Sequence, residues 1–194
     1  MNIEHLVLIG LNFQNKRSSG DKNFWFDLVP LLALKLKEIT ILSSRECELE
    51  KEEYRVNDCK VTIKYLSPVF LETPDSSKTK VFWREGKFPA LLGIVEKILI
   101  LKKILHELAF LAKESSYQHI HLMDNFGFAN RLIVKSSRVP VTVSAMSYHE
   151  KRPAFVYKLY LKLSYGVRNL KIVPYNETFK NKLIELGVNK KAYV

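Results

Sequence analysis

The chain has 194 residues, 47% of them apolar and 11% aromatic, and a formal net charge of +11. That is enough chain and apolar surface for one globular core, and it excludes a disordered or collagen-like polypeptide. The charge admits nucleic acid, an anionic membrane surface or a phosphorylated substrate as partner, and it serves equally as a solubilising coat.

Taken in chain order, Glu4–Gly10 (EHLVLIG) is a short apolar run ending in glycine, as in a buried strand. A polar loop, LNFQNKRSSG, follows. Asp21 can cap a helix over Lys22–Lys37, with apolar positions at Phe24, Leu28, Leu31, Leu32 and Leu36. Ile39–Ser43 reads as a second strand, the charged stretch Arg45–Asn57 as loop, and Lys60–Leu66 as a third strand by its alternation. Residues 67–87 hold Pro68, Pro74, Ser76, Ser77 and Gly86 and form a long loop. Phe88–Glu114 is a long helix, apolar enough to need cover from a sheet or a partner. It carries Glu96, Lys97, Lys102, Lys103, His106 and Glu107, so it lacks the roughly 18 uncharged residues of a membrane span.

From there the pattern is regular. His119–Met123 is strand, Phe126–Ser136 helix and Val139–Ala145 strand. A helix starts near Pro153 and ends at Gly166, Leu170–Pro174 is strand, Asn176 caps a helix ending at Gly187, and Ala192–Val194 begins a last strand. Strands alternating with helices mean βαβ units. The expected fold is therefore α/β: a Rossmann-like, doubly wound, mostly parallel sheet of about seven strands with helices on both faces, one domain over residues 1–194. The N-terminus has no basic region or cleavage site of a signal peptide, and Cys47 and Cys59 fit free thiols in a reducing cytoplasm.

In such a sheet ligands sit at the carboxyl ends of the strands, which directs attention to four loops. Arg17, Ser18, Ser19 and Gly20 lead into a helix N-terminus that suits a phosphate, or form an ordinary capped helix start; neither GxGxxG nor a P-loop is present. The loop MSYHEKR gathers His149, Glu150, Lys151 and Arg152, with His149 able to act as hydrogen-bond donor or general base in what is otherwise a solvated polar loop. In HIHLMDNF, His119 and His121 share one face of a strand, and Asp124 and Asn125 cap the next helix. No third ligand accompanies the two histidines, so no metal site is expected, and His121 reads as a packed histidine at the sheet's edge. The loop KTKVFWREGKF interleaves Lys80, Arg84 and Lys87 with Trp83 and other aromatics, a pattern for an anionic membrane interface or for a loop folded onto its own domain. No RNA-binding signature is present and no nucleic-acid partner is expected.

From His119 onward the chain resembles the N-terminal domain of GT-B glycosyltransferases, the large retaining group that includes glycogen synthases and bacterial mannosyltransferases. YQHIHLMD matches that family's fourth strand at His121 and Asp124, with Met123 where a second histidine usually stands. KIVPYNETFKNKLIELGV follows the family's sixth strand and helix, with Asn176 in the capping slot, and NKKAYV fits the turn and strand that lead to the second domain. Ser19–Gly20 stands where the family has a glycine pair near the donor phosphates; only Gly20 carries over. LKEITIL lacks the family's glycine and histidine before the second strand. Where many members have a histidine after the fifth strand, this chain has Met146, and His149 lies three residues on.

The resemblance implies an N-terminal, acceptor-binding half of an enzyme. Such an enzyme transfers a sugar from a nucleotide-sugar donor to a hydroxyl on a sugar or lipid-linked acceptor. The donor is a co-substrate, and no cofactor or obligatory metal is implied. The donor-gripping C-terminal domain is absent from this chain, which alone is expected to be inactive. Residues Arg17, Ser19 and Gly20 are then placed toward the donor phosphates. Asp124, Asn125, Glu150, Lys151 and Arg152 are placed toward the acceptor cleft, and His149 is the catalytic candidate. The location implied is cytoplasmic, peripheral at the inner face of the membrane. A stand-alone Rossmann-like module that binds a nucleotide or phosphorylated ligand without catalysis is the alternative.

Overall fold

A computed structural model describes residues 3–10, 22–43, 51–66, 89–114, 117–123, 129–145 and 154–193. Seven strands, β1 (His5–Ile9), β2 (Glu38–Ser43), β3 (Lys51–Val56), β4 (Cys59–Tyr65), β5 (His119–Leu122), β6 (Val141–Ala145) and β7 (Leu170–Pro174), form a sheet in the order β3-β4-β2-β1-β5-β6-β7. Five helices punctuate them among the described residues: α1 (Lys22–Ala33), α2 (Pro89–Glu114), α3 (Ala129–Ser136), α4 (Ala154–Tyr165) and α5 (Glu177–Glu185). The fold is a Rossmann-like α/β sheet, mostly parallel, as the alternation of elements required.

The chain divides into two compact units. The first, Met1–Ile9 with Tyr117–Val194, holds β1, β5, β6 and β7, all paired in parallel. Every side chain of β1 is buried, and so are Ile120, Leu122, Val141, Val143, Leu170 and Ile172. β1, covered on both faces, is a continuous apolar run, whereas β5 and β7 bury alternate residues. The strand order turns back on itself at β1 and β5, both in this unit, and at such a point a crevice opens outside the carboxyl ends. His121 is thus on an interior strand, between β1 and β6, and not at the sheet's edge as the sequence suggested. Two histidines in HIHL look like an edge because the strand is short and polar on one face; its neighbours supply partners for that polarity instead.

The second unit, Gly10–Ser116, pairs β2 with β4 in parallel and β3 with β4 antiparallel. The charged stretch expected to be loop therefore contains strand β3. KEEYRV alternates exposed and half-buried positions, and Asn57, with φ 53, turns the chain through Asn57–Asp58 into β4. Asn tolerates that left-handed conformation because its short polar side chain bonds locally. Helix α1 stops at Ala33, four residues before the expected end, and Lys35 N–H closes a tight turn onto Leu32 C=O at 3.0 Å so that β2 can begin at Glu38. Helix α2 buries Ile100, Ile104, Leu108 and Leu111, a stripe at three- and four-residue spacing. Lys64 of β4 is paired with Glu107 of α2 at 2.7 Å and lies 4.8 Å from the Phe110 ring centroid.

At the C-terminal side of the first unit, Asn176 Oδ1 accepts from Phe179 N–H at 2.8 Å and caps α5. The other end closes as a Schellman motif, with Gly187 N–H on Ile184 C=O, Val188 N–H on Leu183 C=O, and Gly187 at φ 92. Both ends match the sequence reading. After it, Lys190–Ala192 forms a short 3-10 turn, and Tyr193 makes an isolated parallel bridge to Ile172 in place of a full strand.

Candidate functional site

Within the first unit the carboxyl ends of β5, β6 and β7 are marked by Met123, Ala145 and Pro174. The parallel register sets His121 opposite Thr142. Because side chains alternate along a strand, His119, His121, Thr142 and Ser144 share one face of this pair. They form a chain of polar contacts. His119 Nε2 is 2.9 Å from Thr142 Oγ1, His121 Nδ1 is 2.7 Å from the same oxygen, and His121 Nε2 is 2.9 Å from Ser144 Oγ.

Burial decides the charge of these rings. Desolvation, with a smaller contribution from His119, pushes His121 down to about 4, and burial lowers His119 as well. Both are neutral at pH 7. A neutral imidazole has one N–H, so His121 donates through one nitrogen and accepts through the other. Thr142 and Ser144 therefore meet the ring with opposite polarity, and the ring is held at both ends. Ser144 precedes the last residue of β6, so the chain leads from the middle of the sheet toward its carboxyl end.

The strand β5 is anchored at its other end. Gln118 Oε1 accepts from Glu4 N–H at 2.6 Å and His5 N–H at 3.0 Å, and Gln118 N–H returns a bond to His5 C=O at 3.1 Å. Asn130 Nδ2 of α3 donates to Ser164 C=O of α4 at 3.0 Å in a buried contact, which ties those two helices together. Among the described residues no group of three or more His, Cys, Asp or Glu side chains is arranged to hold a metal ion.

Arg17, Ser19, Gly20, Lys80, Trp83, Arg84, Lys87, Asp124, Asn125, His149, Glu150, Lys151 and Arg152 all fall outside the described residues. In sequence, 124–128 come after β5 and 146–153 after β6. Thr142 and Ser144 were not anticipated. The signal was present in VTVSA, whose two hydroxyls have the same i, i+2 spacing as the two histidines of HIHL.

No protein-family model matches the chain, and no curated protein matches it. Among solved structures it is similar to trehalose-6-phosphate synthase from E. coli bound with UDP-2-fluoro glucose, a GT-B glycosyltransferase, with a TM-score of 0.51 and 13% identity. The match covers 94% of this chain and 42% of that one. At that identity the likeness is one of fold: the chain is built like one half of a GT-B glycosyltransferase.

Proposed function

We propose that this chain is the N-terminal, acceptor-side half of a retaining glycosyltransferase that moves a sugar from a nucleotide-sugar donor to a hydroxyl acceptor. The observation that carries the reading is the fold likeness over 94% of the chain to an enzyme of which it spans 42%, in a complex with a nucleotide-sugar analogue. Two described segments add weight. β5 with its HIHL sequence, and β7 through the Asn176 cap to the Gly187 stop, are where the sequence most resembles the GT-B family.

In this reading the crevice at the carboxyl ends of β1 and β5 faces the donor and acceptor. Arg17, Ser19 and Gly20 approach the donor diphosphate, whose charge suits a helix N-terminus. Asp124, Asn125, Glu150, Lys151 and Arg152 line the acceptor side, and His149 touches the reacting sugar. The neutral His121–Ser144 pair lies near the end of β6. It holds the end of β6 in place and adds no charge to a site where charge develops. The donor is a co-substrate held mainly by a second domain, and the acceptor is a sugar or a lipid-linked sugar.

Calorimetric titration of the chain with a panel of nucleotide sugars tests this. The expected result is heat only at millimolar donor and no sugar transfer, because one wall of the cleft is insufficient. Submillimolar binding of a nucleotide irrespective of its sugar would instead support a self-contained nucleotide-binding module.

A further inference from the structure

Two imidazoles share the oxygen of Thr142. His119 Nε2 is 2.9 Å and His121 Nδ1 2.7 Å from Thr142 Oγ1, and that oxygen has no further partner among the described residues. A threonine hydroxyl carries one hydrogen, so it donates to one ring at most. The other ring meets a lone pair and has to bring its own N–H. Each neutral imidazole in turn has one N–H and one bare nitrogen.

These counts leave two arrangements that use every hydrogen. In the outward one, His119 Nε2–H donates to Thr142, Thr142 donates to His121 Nδ1, and His121 Nε2–H donates to Ser144 Oγ, 2.9 Å away. In the inward one all three bonds reverse. If both rings donated, the Thr142 hydrogen would have no acceptor among the described residues. The arrangements differ in what Ser144 offers. Outward, its own hydrogen is left for a further oxygen acceptor; inward, that hydrogen is committed to the ring and only lone pairs remain. Ser144 is the last residue before Ala145, which ends β6.

A proton chooses between them. With hydrogen on both nitrogens, His119 cannot accept from Thr142, so the inward arrangement is closed and the population moves to the outward one. Few other groups bear on this. β1 sets buried Leu6 and Leu8 beside the two rings. β6 brings Thr142 and Ser144, and beyond them β7 sets Lys171 beside Thr142, with its Nζ held 2.9 Å from Lys191 C=O. Desolvation lowers both rings, and the charge of His119 lowers His121 further, to about 4, so His119 takes the first proton.

We propose that His119, Thr142, His121 and Ser144 form a relay of hydrogen-bond polarity, in which a proton taken up at His119 fixes Ser144 as a hydrogen donor at the carboxyl end of β6. The hydroxyls rotate, and His121 loses a hydrogen at Nδ1 and gains one at Nε2 by exchange with water. The net change is one proton bound, at His119. The relay does not rest on sugar transfer, and its test contains no nucleotide sugar.

The test is nitrogen NMR of the imidazoles in the isotope-labelled 194-residue chain, which separates bare from protonated ring nitrogens; H119Q and H121Q assign the two rings. The two arrangements contain the same three contacts, so at pH 7 both rings are expected to populate Nδ1–H, and to the same extent. As pH falls toward about 4, His119 should gain its second hydrogen while His121, still neutral, loses its Nδ1–H signal completely. T142V is expected to abolish that response and T142S to restore it. S144A should leave the two rings matched, because Thr142 alone joins them. The proposal is overturned by opposite tautomers in the parent at pH 7, or by a His121 already wholly Nε2–H there. It is also overturned if His121 keeps Nδ1–H once His119 is doubly protonated, or if T142V responds like the parent. Should T142V fail to fold, the parent and T142S spectra decide.

Discussion

His121 Nε2 lies 2.9 Å from Ser144 Oγ, across two neighbouring parallel strands and one residue short of the end of β6. With Thr142 on the other ring nitrogen, the half-buried imidazole is held at both ends, and desolvation keeps it uncharged at pH 7.

That position makes stability depend on pH. The folded His121 titrates at about 4, below its ordinary 6.5, and His119 is shifted in the same direction. Between those values the unfolded chain binds more protons than the folded one, so stability rises with pH. The contribution is fully present above pH 6.5 and is lost as pH falls toward about 4. For His121 alone the full effect is on the order of 3 kcal/mol. Urea unfolding across that window should show the slope, and H121Q should flatten it. An unchanged slope in H121Q would mean that His121 is not the group responsible.

Thr142 touches two imidazoles and Ser144 one, so their substitutions should rank. T142V removes two hydrogen bonds and S144A removes one. At about 1 kcal/mol for each bond lost at a half-buried partner, T142V is expected to destabilise about twice as much as S144A. Denaturant midpoints read the order, and equal midpoints would contradict the shared-oxygen arrangement.

The regular half of this fold was legible for a physical reason. Parallel strands buried on both faces must be apolar runs, so LVLI and ITIL announce themselves, LKIVP shows the alternation of a strand buried on one face, and Asn176 and Gly187 announce the ends of α5. β3 was hidden because a strand on the outside of a sheet buries little, and Glu52, Glu53 and Arg55 look like loop chemistry. Its signal was the Asn57–Asp58 turn. The histidine partners were hidden for another reason: Thr142 and Ser144 are 21 and 23 residues from His121, and only the register of β5 on β6 brings them together. The candidate catalytic residues lie outside the described residues, so their roles rest on the family resemblance.

The ends of α5 should respond as local chemistry dictates. N176A removes the cap to Phe179 N–H, at a cost of about 1 kcal/mol. G187A forces a side chain into a left-handed backbone at φ 92, with open space around the new methyl, and costs about 1 kcal/mol. G166A has a different cause. Its methyl would overlap the Lys162 carbonyl oxygen, so backbone has to move, and it is expected to be the most damaging of the three. Thermal unfolding of the three variants checks the order.

Cys59 is fully buried on β4, and burial raises its thiol. In a C47S background a maleimide should label it only on the timescale of unfolding. Labelling of the folded chain at the rate of a free thiol would show that β4 opens locally.

The central claim is that the carboxyl ends of the first unit's strands face a nucleotide sugar. Amide shift mapping of the labelled chain with millimolar UDP-glucose addresses it directly. The account predicts shifts concentrated at Met123, Ala145 and Tyr175, with Gln118, Arg138 and Asn169 at the opposite ends unmoved. Shifts at those opposite ends, or none with any nucleotide sugar at millimolar concentration, would contradict it.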